Sequence, residues 1–212
     1  MKSDLLGPIK AAYDDGGLVS AKLAQVKGST VEYLEGGEGE TVVFLHGAAF
    51  DMETWRYVKI LDVLASRGYR VLSLNLPGYG ATSANLSRET FLTDVVDALV
   101  GQRKVVVVVA SMGGTYGLPF AESDDRIAGY VSTAGLLSTR RDPRRLKHLK
   151  TLFVYGDQDP RLKNDEKQRE LFTNSRLVVF KNAPHACYLR DLDATTEFNT
   201  IVLAFVDSIY NK

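Results

Sequence analysis

Three residue types spread along the chain can together make a nucleophile. Ser111 lies within the run VVVVVASMGG (residues 105–114), between Ala110 and Met112 and ahead of two glycines. An acidic pair, Asp157 and Asp159, lies in FVYGDQDP, and His185 lies in NAPHACYL. A serine hydroxyl is a poor nucleophile at neutral pH, so it needs a base to take its proton and a third group to orient that base. The order serine, acid, histidine supplies all three, each just beyond a short apolar run. The chemistry such a set performs is acyl transfer through an acyl-serine intermediate. On the serine's own surroundings, the plainer reading is that Ser111 merely caps a helix. Both aspartates compete for the orienting place.

For these residues to meet, the runs that carry them must lie side by side. Short β-branched runs alternate with amphipathic stretches of helical length, which indicates a mostly parallel sheet covered on both faces. LVSAKLAQV and STVEYLE flank Lys27-Gly28 as an opening antiparallel hairpin. TVVFLHG, YRVLSLNL, KVVVVVA, RIAGYVSTAG, KTLFVYG and RLVVFKN read as further strands, bringing the sheet to eight. Between them, residues 52–67 read as one helix with Trp55, Val58, Leu61 and Leu64 on its apolar face, ended by Gly68. RETFLTDVVDALV, MGGTYGLPFAE, the charged NDEKQRELF and the closing TTEFNTIVLAFVDSIY are the other helices. The expectation is a single α/β domain over residues 18–212 behind an extension of residues 1–17. Only the segment LLSTRRDPRRLKHLK separates the sixth and seventh strands, which leaves no room for a lid.

Taken together, FLHG, LNLPGYGATS, VASMGG, VYGDQDP and APHACYL resemble the α/β-hydrolase fold superfamily across nearly the whole chain. The last two motifs, the short chain and the absent lid make it most similar to the small group called alpha/beta-hydrolase domain-containing protein fourteen. The order serine, acid, histidine is the one that fold uses. The resemblance implies Ser111 as nucleophile, His185 as base and, from the second aspartate of a G-x-x-D loop, Asp159 as the orienting acid. Asp157 is then left to cap the turn by accepting backbone N–H groups. The resemblance also implies an oxyanion hole made by the backbone N–H groups of Met112 and of Ala48, which follows LHG; one such donor contributes about 3 to 4 kcal/mol. Two departures stand out. Val109 occupies the first glycine position of the usual G-x-S-x-G pattern, so the neighbouring backbone must make room for a β-branched side chain. Asn75 replaces the aspartate often found before LPG, a change read as structural.

Other residues invite chemical readings that their setting does not favour. His46 is expected to fix its loop, Cys187 to be a small buried side chain, and Trp55 to be core. The cluster RRDPRRLKH with Lys150 has the ordinary reading of a solvated helix face. Its sharper reading is recognition of an anionic group by Arg144 and Arg145, on the rim where the serine opens: the phosphates of coenzyme A, or an acidic acyl substrate.

Composition narrows the function further. The 26 basic and 26 acidic residues cancel, so total charge points neither to nucleic acid nor to an anionic membrane. A single cysteine forms no internal disulfide, and the opening residues hold no apolar stretch of signal-peptide length, which together indicate the cytoplasm. No metal or resident cofactor is expected. The partner is a small acyl substrate or an acylated protein. Three functions stay open: a serine esterase, an acyltransferase moving an acyl group to coenzyme A, and a non-catalytic binding module on the same fold.

Overall fold

The computed structural model describes residues 17–135, 137 and 143–211. The extension of residues 1–17 therefore lies, but for Gly17, outside the described residues, as do Arg140, Arg141 and Asp142 of the basic cluster. The chain opens with β1 (Val19–Val26) and β2 (Ser29–Gly36), an antiparallel pair in which Val26 faces Ser29. Lys27 and Gly28 both take positive φ, 48° and 78°, as a two-residue hairpin turn matching the strand twist requires.

The remaining strands are β3 (Glu40–Leu45), β4 (Tyr69–Leu74), β5 (Val105–Ala110), β6 (Ile127–Thr133), β7 (Thr151–Gly156) and β8 (Ser175–Phe180). They form one eight-stranded sheet in the order β1-β2-β4-β3-β5-β6-β7-β8, parallel from β4 onward. The chain moves outward from β3 to β4, then returns to pair β5 with β3 on its other side. This reversal leaves a crevice at the carboxyl ends of β3 and β5, where α/β sheets place their sites.

The five valines explain themselves as a central strand. Val106 and Val108 face one core, shared with Trp55, Phe44 and Phe198, while Val105, Val107 and Val109 face the other, shared with Phe91, Tyr116 and Phe120. All five are fully buried, so no polar alternation is tolerated.

The first core is covered by α1 (Glu53–Tyr57), α2 (Ile60–Ser66) and the closing α7 (Leu192–Tyr210); the second by α3 (Phe91–Leu99) and α4 (Gly114–Ser123). Residues 52–67 are thus two helices rather than the single one expected. Lys59 adopts a left-handed φ of 63° and breaks the run, yet Trp55, Val58, Leu61 and Leu64 all remain buried. The charged stretch after β7 also splits, into the single turns α5 (Arg161–Asn164) and α6 (Glu166–Arg169). Between them Asp165 turns inward, accepting from Tyr155 Oη at 3.1 Å and pairing with Arg161 at 3.3 Å. Among the described residues, no lid domain interrupts the sheet. Among the described residues, no helix is long and apolar enough to cross a membrane.

Candidate active site

Ser111 stands at the sharp turn between β5 and the helical segment that leads into α4. Ala110 is still extended, at φ −120° and ψ 132°, whereas Ser111 has φ 45°, a left-handed conformation that serine rarely adopts. That turn lifts the hydroxyl over the carboxyl edge of the sheet. His185, in the loop after β8, places Nε2 at 2.9 Å from Ser111 Oγ and Nδ1 at 2.6 Å from Asp159 Oδ2. Asp159 comes from the loop after β7 and is buried; its other oxygen accepts the Arg161 N–H at 3.0 Å. An ionised carboxylate can only accept, so the imidazole proton belongs on Nδ1 and Nε2 is left to accept the serine proton.

Val109 is accommodated by two absences. A Cβ on Gly117, in α4, would lie 2.6 Å from Val109 Cγ1, and one on Gly135, just past β6, would lie 2.9 Å from Val109 Cγ2. Each methyl of the valine thus occupies space that a glycine leaves open, and this permits a β-branched residue two places before the nucleophile. Gly117→Ala is expected to destabilise the protein by about 1–3 kcal/mol through overpacking against a side chain stiff at χ1. Most of that loss should return in the Val109→Ala/Gly117→Ala double variant. Chemical denaturation of the four proteins in the cycle measures this coupling, and simple additivity would refute the fit.

The turn after Ser111 presses on the end of β3: a Cβ on Gly113 would come within 2.6 Å of the Leu45 carbonyl oxygen and 2.9 Å of that of His46. Met112 and Ala48 therefore stand on two segments in contact. His46 holds the second segment, Nδ1 donating to the Gly47 carbonyl at 2.9 Å and Nε2 accepting the Leu76 N–H at 3.1 Å. Both of its nitrogens are engaged and the ring is buried. Tyr79 Oη adds a hydrogen bond to the Ala48 carbonyl at 2.9 Å. Asn75 ties the adjoining loop down, accepting from Met52 N at 3.0 Å and donating to Glu32 Oε2 at 2.8 Å. An aspartate there would have no N–H to give Glu32.

Asp157 does not reach His185. Its two oxygens accept the Asn182 and Ala183 N–H groups at 3.0 and 3.1 Å, which fastens the start of the histidine loop to the end of β7. The Asn182 bond first, then that of Ala183, holds its carboxyl below the usual range. A carboxyl lowered in the folded state contributes stability above the unfolded carboxyl's range and loses it as pH falls through the folded value. The melting-temperature gap between wild type and Asp157→Ala is therefore expected to be full at pH 7 and to close below about pH 4. A gap that persists unchanged in acid would rule out the carboxylate as its source.

Cys187 is wholly buried, and burial pushes its thiol up to about 12, so it stays protonated and is no rival nucleophile. The next residue, Tyr188, stacks on Trp55 at 5.3 Å between ring centroids and meets Phe198 in a tilted contact at 5.2 Å, anchoring the segment that follows His185 into the first core. Beside Ser111 and His185 is a recess of about 20 Å³ walled by Gly47, Phe50, Ala110, Thr133, Ala186 and Tyr188. The sequence did not single out Phe50, Thr133 or Tyr188 for this place, since nothing in their spacing separates them from core residues.

The expectation that Arg144 and Arg145 flank the serine's opening fails. Both lie on the 3₁₀ segment Pro143–His148, directly ahead of β7, and Arg145 pairs at 2.9 Å with Asp125, which precedes β6. Arg145 also shares a cleft with Glu40, Lys104, Ile127 and Lys150, residues at or just before the amino ends of β3, β5, β6 and β7. Ser111 is at the other end of a six-residue strand, about 20 Å away.

Residues 42–199 match the profile of the alpha/beta hydrolase family. Similar curated proteins include "Putative protein-lysine deacylase ABHD14B" of Rattus norvegicus, 34% identical over 203 residues, covering 87% of this chain and 94% of that one. "Protein ABHD14A" of Rattus norvegicus is 33% identical over 177 residues, covering 79% of this chain and 72% of its own length. Among solved structures, a "predicted CIB-like hydrolase" from Thermoplasma acidophilum superposes with a TM-score of 0.78 at 21% identity, covering 91% of this chain and all of that one (100%). An esterase from Exiguobacterium antarcticum does so at 0.73 and 17% identity, covering 89% of this chain and 100% of its own.

Proposed function

Because the chain belongs to the alpha/beta hydrolase family, we propose that it is a serine hydrolase that removes small acyl groups through an acyl-serine intermediate on Ser111. The observation that carries this reading is the continuous hydrogen-bond chain Ser111 Oγ, His185, Asp159, at 2.9 and 2.6 Å. His185 Nε2 takes the serine proton as Oγ bonds to the acyl carbon. The carbonyl oxygen gains negative charge and is met by the N–H groups of Ala48 and Met112. Collapse of the tetrahedral intermediate breaks the bond to the leaving group, which receives the proton from His185. A water or other acceptor, deprotonated in turn by His185, then attacks the acyl carbon and frees Ser111. Asp159 keeps its charge throughout and supports the imidazolium. A buried, protonated lone cysteine leaves nothing in the fold dependent on oxidation, in keeping with the cytoplasm as its compartment.

The size of the recess argues for a short acyl chain, since about 20 Å³ takes little more than one methyl-sized group. The acyl group is carried by a small ester or, as the name of the rat relative ABHD14B points to for that protein, by a protein lysine. His185, with 44% of its side chain exposed, leaves access for a bulky carrier. The case for coenzyme A as acceptor weakens with Arg145 at the far edge. Incubation with a fluorophosphonate is expected to add one adduct by intact mass, mapping to Ser111; a folded sample that stays unlabelled overturns the proposal. Repeating ester turnover with and without coenzyme A separates hydrolysis from transfer. Against chromogenic esters, butyrate is expected to react at least about tenfold more slowly than acetate in kcat/KM, because added methylenes overpack the recess. Phe50→Ala should narrow that ratio; equal rates for the two esters in wild type would remove the recess from the argument.

A further inference from the structure

A second open volume lies away from the serine. It is a cleft of about 900 Å³ at the amino edge of the sheet, between the loops that enter β5 and β6, the 3₁₀ segment before β7 and the last turn of α7. Its size falls in the range of small-molecule sites. Ile127, Leu149 and Ile209 supply apolar lining, and Arg103, Lys104 and Lys150 supply positive charge.

Among the described residues, none of these three cations forms an ion pair. Of the carboxylates in the cleft, Asp124 is held by Arg126 through bonds of 2.6 and 2.8 Å, and Asp125 pairs with Arg145 at 2.9 Å. The guanidinium of Arg126, which also pairs with Asp97 at 2.7 Å, keeps the Asp124 carboxyl below its usual range, so it stays ionised. Lys104 and Lys150, by contrast, bond main-chain carbonyls, those of Asp125 and Ser208, and Arg103 reaches the Val100 carbonyl at 3.4 Å. A carbonyl satisfies a donor without cancelling its charge. Among the described residues lining the cleft, only the Glu40 carboxylate is left to offset these three cations.

We propose that this amino-edge cleft is a second binding site, taking a small phosphorylated molecule of nucleotide size. The phosphates meet Lys104, Lys150 and Arg103, and the less polar body lies on Ile127, Leu149 and Ile209. Lysine and arginine around one concavity favour multiply charged phosphate over a single carboxylate. The site stands apart from Ser111 by the length of β5, so its ligand is a bystander to the acyl chemistry, and occupancy leaves the serine open.

Adenosine 5′-diphosphate and inorganic pyrophosphate are the probes. Titrated into the 212-residue chain at low salt and followed by amide NMR, each is expected to shift signals of residues 102–104, 148–150 and 208–210 saturably, leaving those of 111 and 185 in place. ADP should bind at least about tenfold more tightly than pyrophosphate if the apolar lining contributes. Lys104→Gln with Lys150→Gln should weaken both at least tenfold without altering the melting temperature or fluorophosphonate labelling of Ser111. Absence of saturable shifts in wild type overturns the site, as do shifts centred on the serine and binding that survives the double substitution. Equal affinities for the two probes would refute the apolar part of the ligand and reduce the site to a phosphate cradle.

Discussion

Ser111→Ala is expected to lower kcat for an acetyl ester by about 10⁶, to the level that positioning and the oxyanion hole alone provide. The loss is large because no other group can take over. Cys187 is buried and protonated, His46 has both ring nitrogens engaged, and His185 without its serine has only water to activate. The fold should be unaffected, since alanine keeps the Cβ and meets the same strain at φ 45°. Steady-state rates on purified protein, with circular dichroism as the folding control, decide it. A variant that keeps more than about one part in a hundred of the rate would show that the acyl chemistry runs through another residue.

Asp159→Asn should lower kcat by about 10⁴ with little change in KM or melting temperature. The size follows from the second hydrogen bond of this side chain. One oxygen of Asp159 accepts the Arg161 N–H, so an asparagine is held with its carbonyl on that donor and its NH₂ toward His185. His185 Nδ1 must then accept, its proton moves to Nε2, and the nitrogen facing Ser111 can no longer act as a base. Asp157→Asn serves as the comparison, since it keeps an acceptor for the histidine loop and has no contact with the imidazole. If the two asparagine variants lost activity equally, the orienting role would belong to the integrity of the loop rather than to Asp159.

The strands were legible because their burial is written in the side chains, five consecutive valines most plainly, and the order serine, acid, histidine survived intact into the geometry. The breaks were less legible. Lys59 in a left-handed turn and Asp165 folded inward are decided by packing across the sheet, which no local spacing records. The misplaced Arg144 and Arg145 have a different cause. A connection between parallel strands leaves from one edge of the sheet and must end at the other, where the next strand starts. Residues directly before β7 therefore belong at the amino edge, however soon they follow β6. Pairing Val109 with Gly117 and Gly135 was out of reach, because the partners are contributed by a helix and a strand exit that meet the valine only after folding.

That pairing makes three positions behave as one inherited character. A chain that carries a valine before its nucleophile is committed to glycine at both of the other places, and losing either glycine is tolerated only after the valine has shrunk. In an alignment of relatives, small residues should therefore migrate among positions 109, 117 and 135 as a set, with substitution at 109 coming first. The order in which a lineage can remodel its nucleophile turn is thus written in two methyl groups.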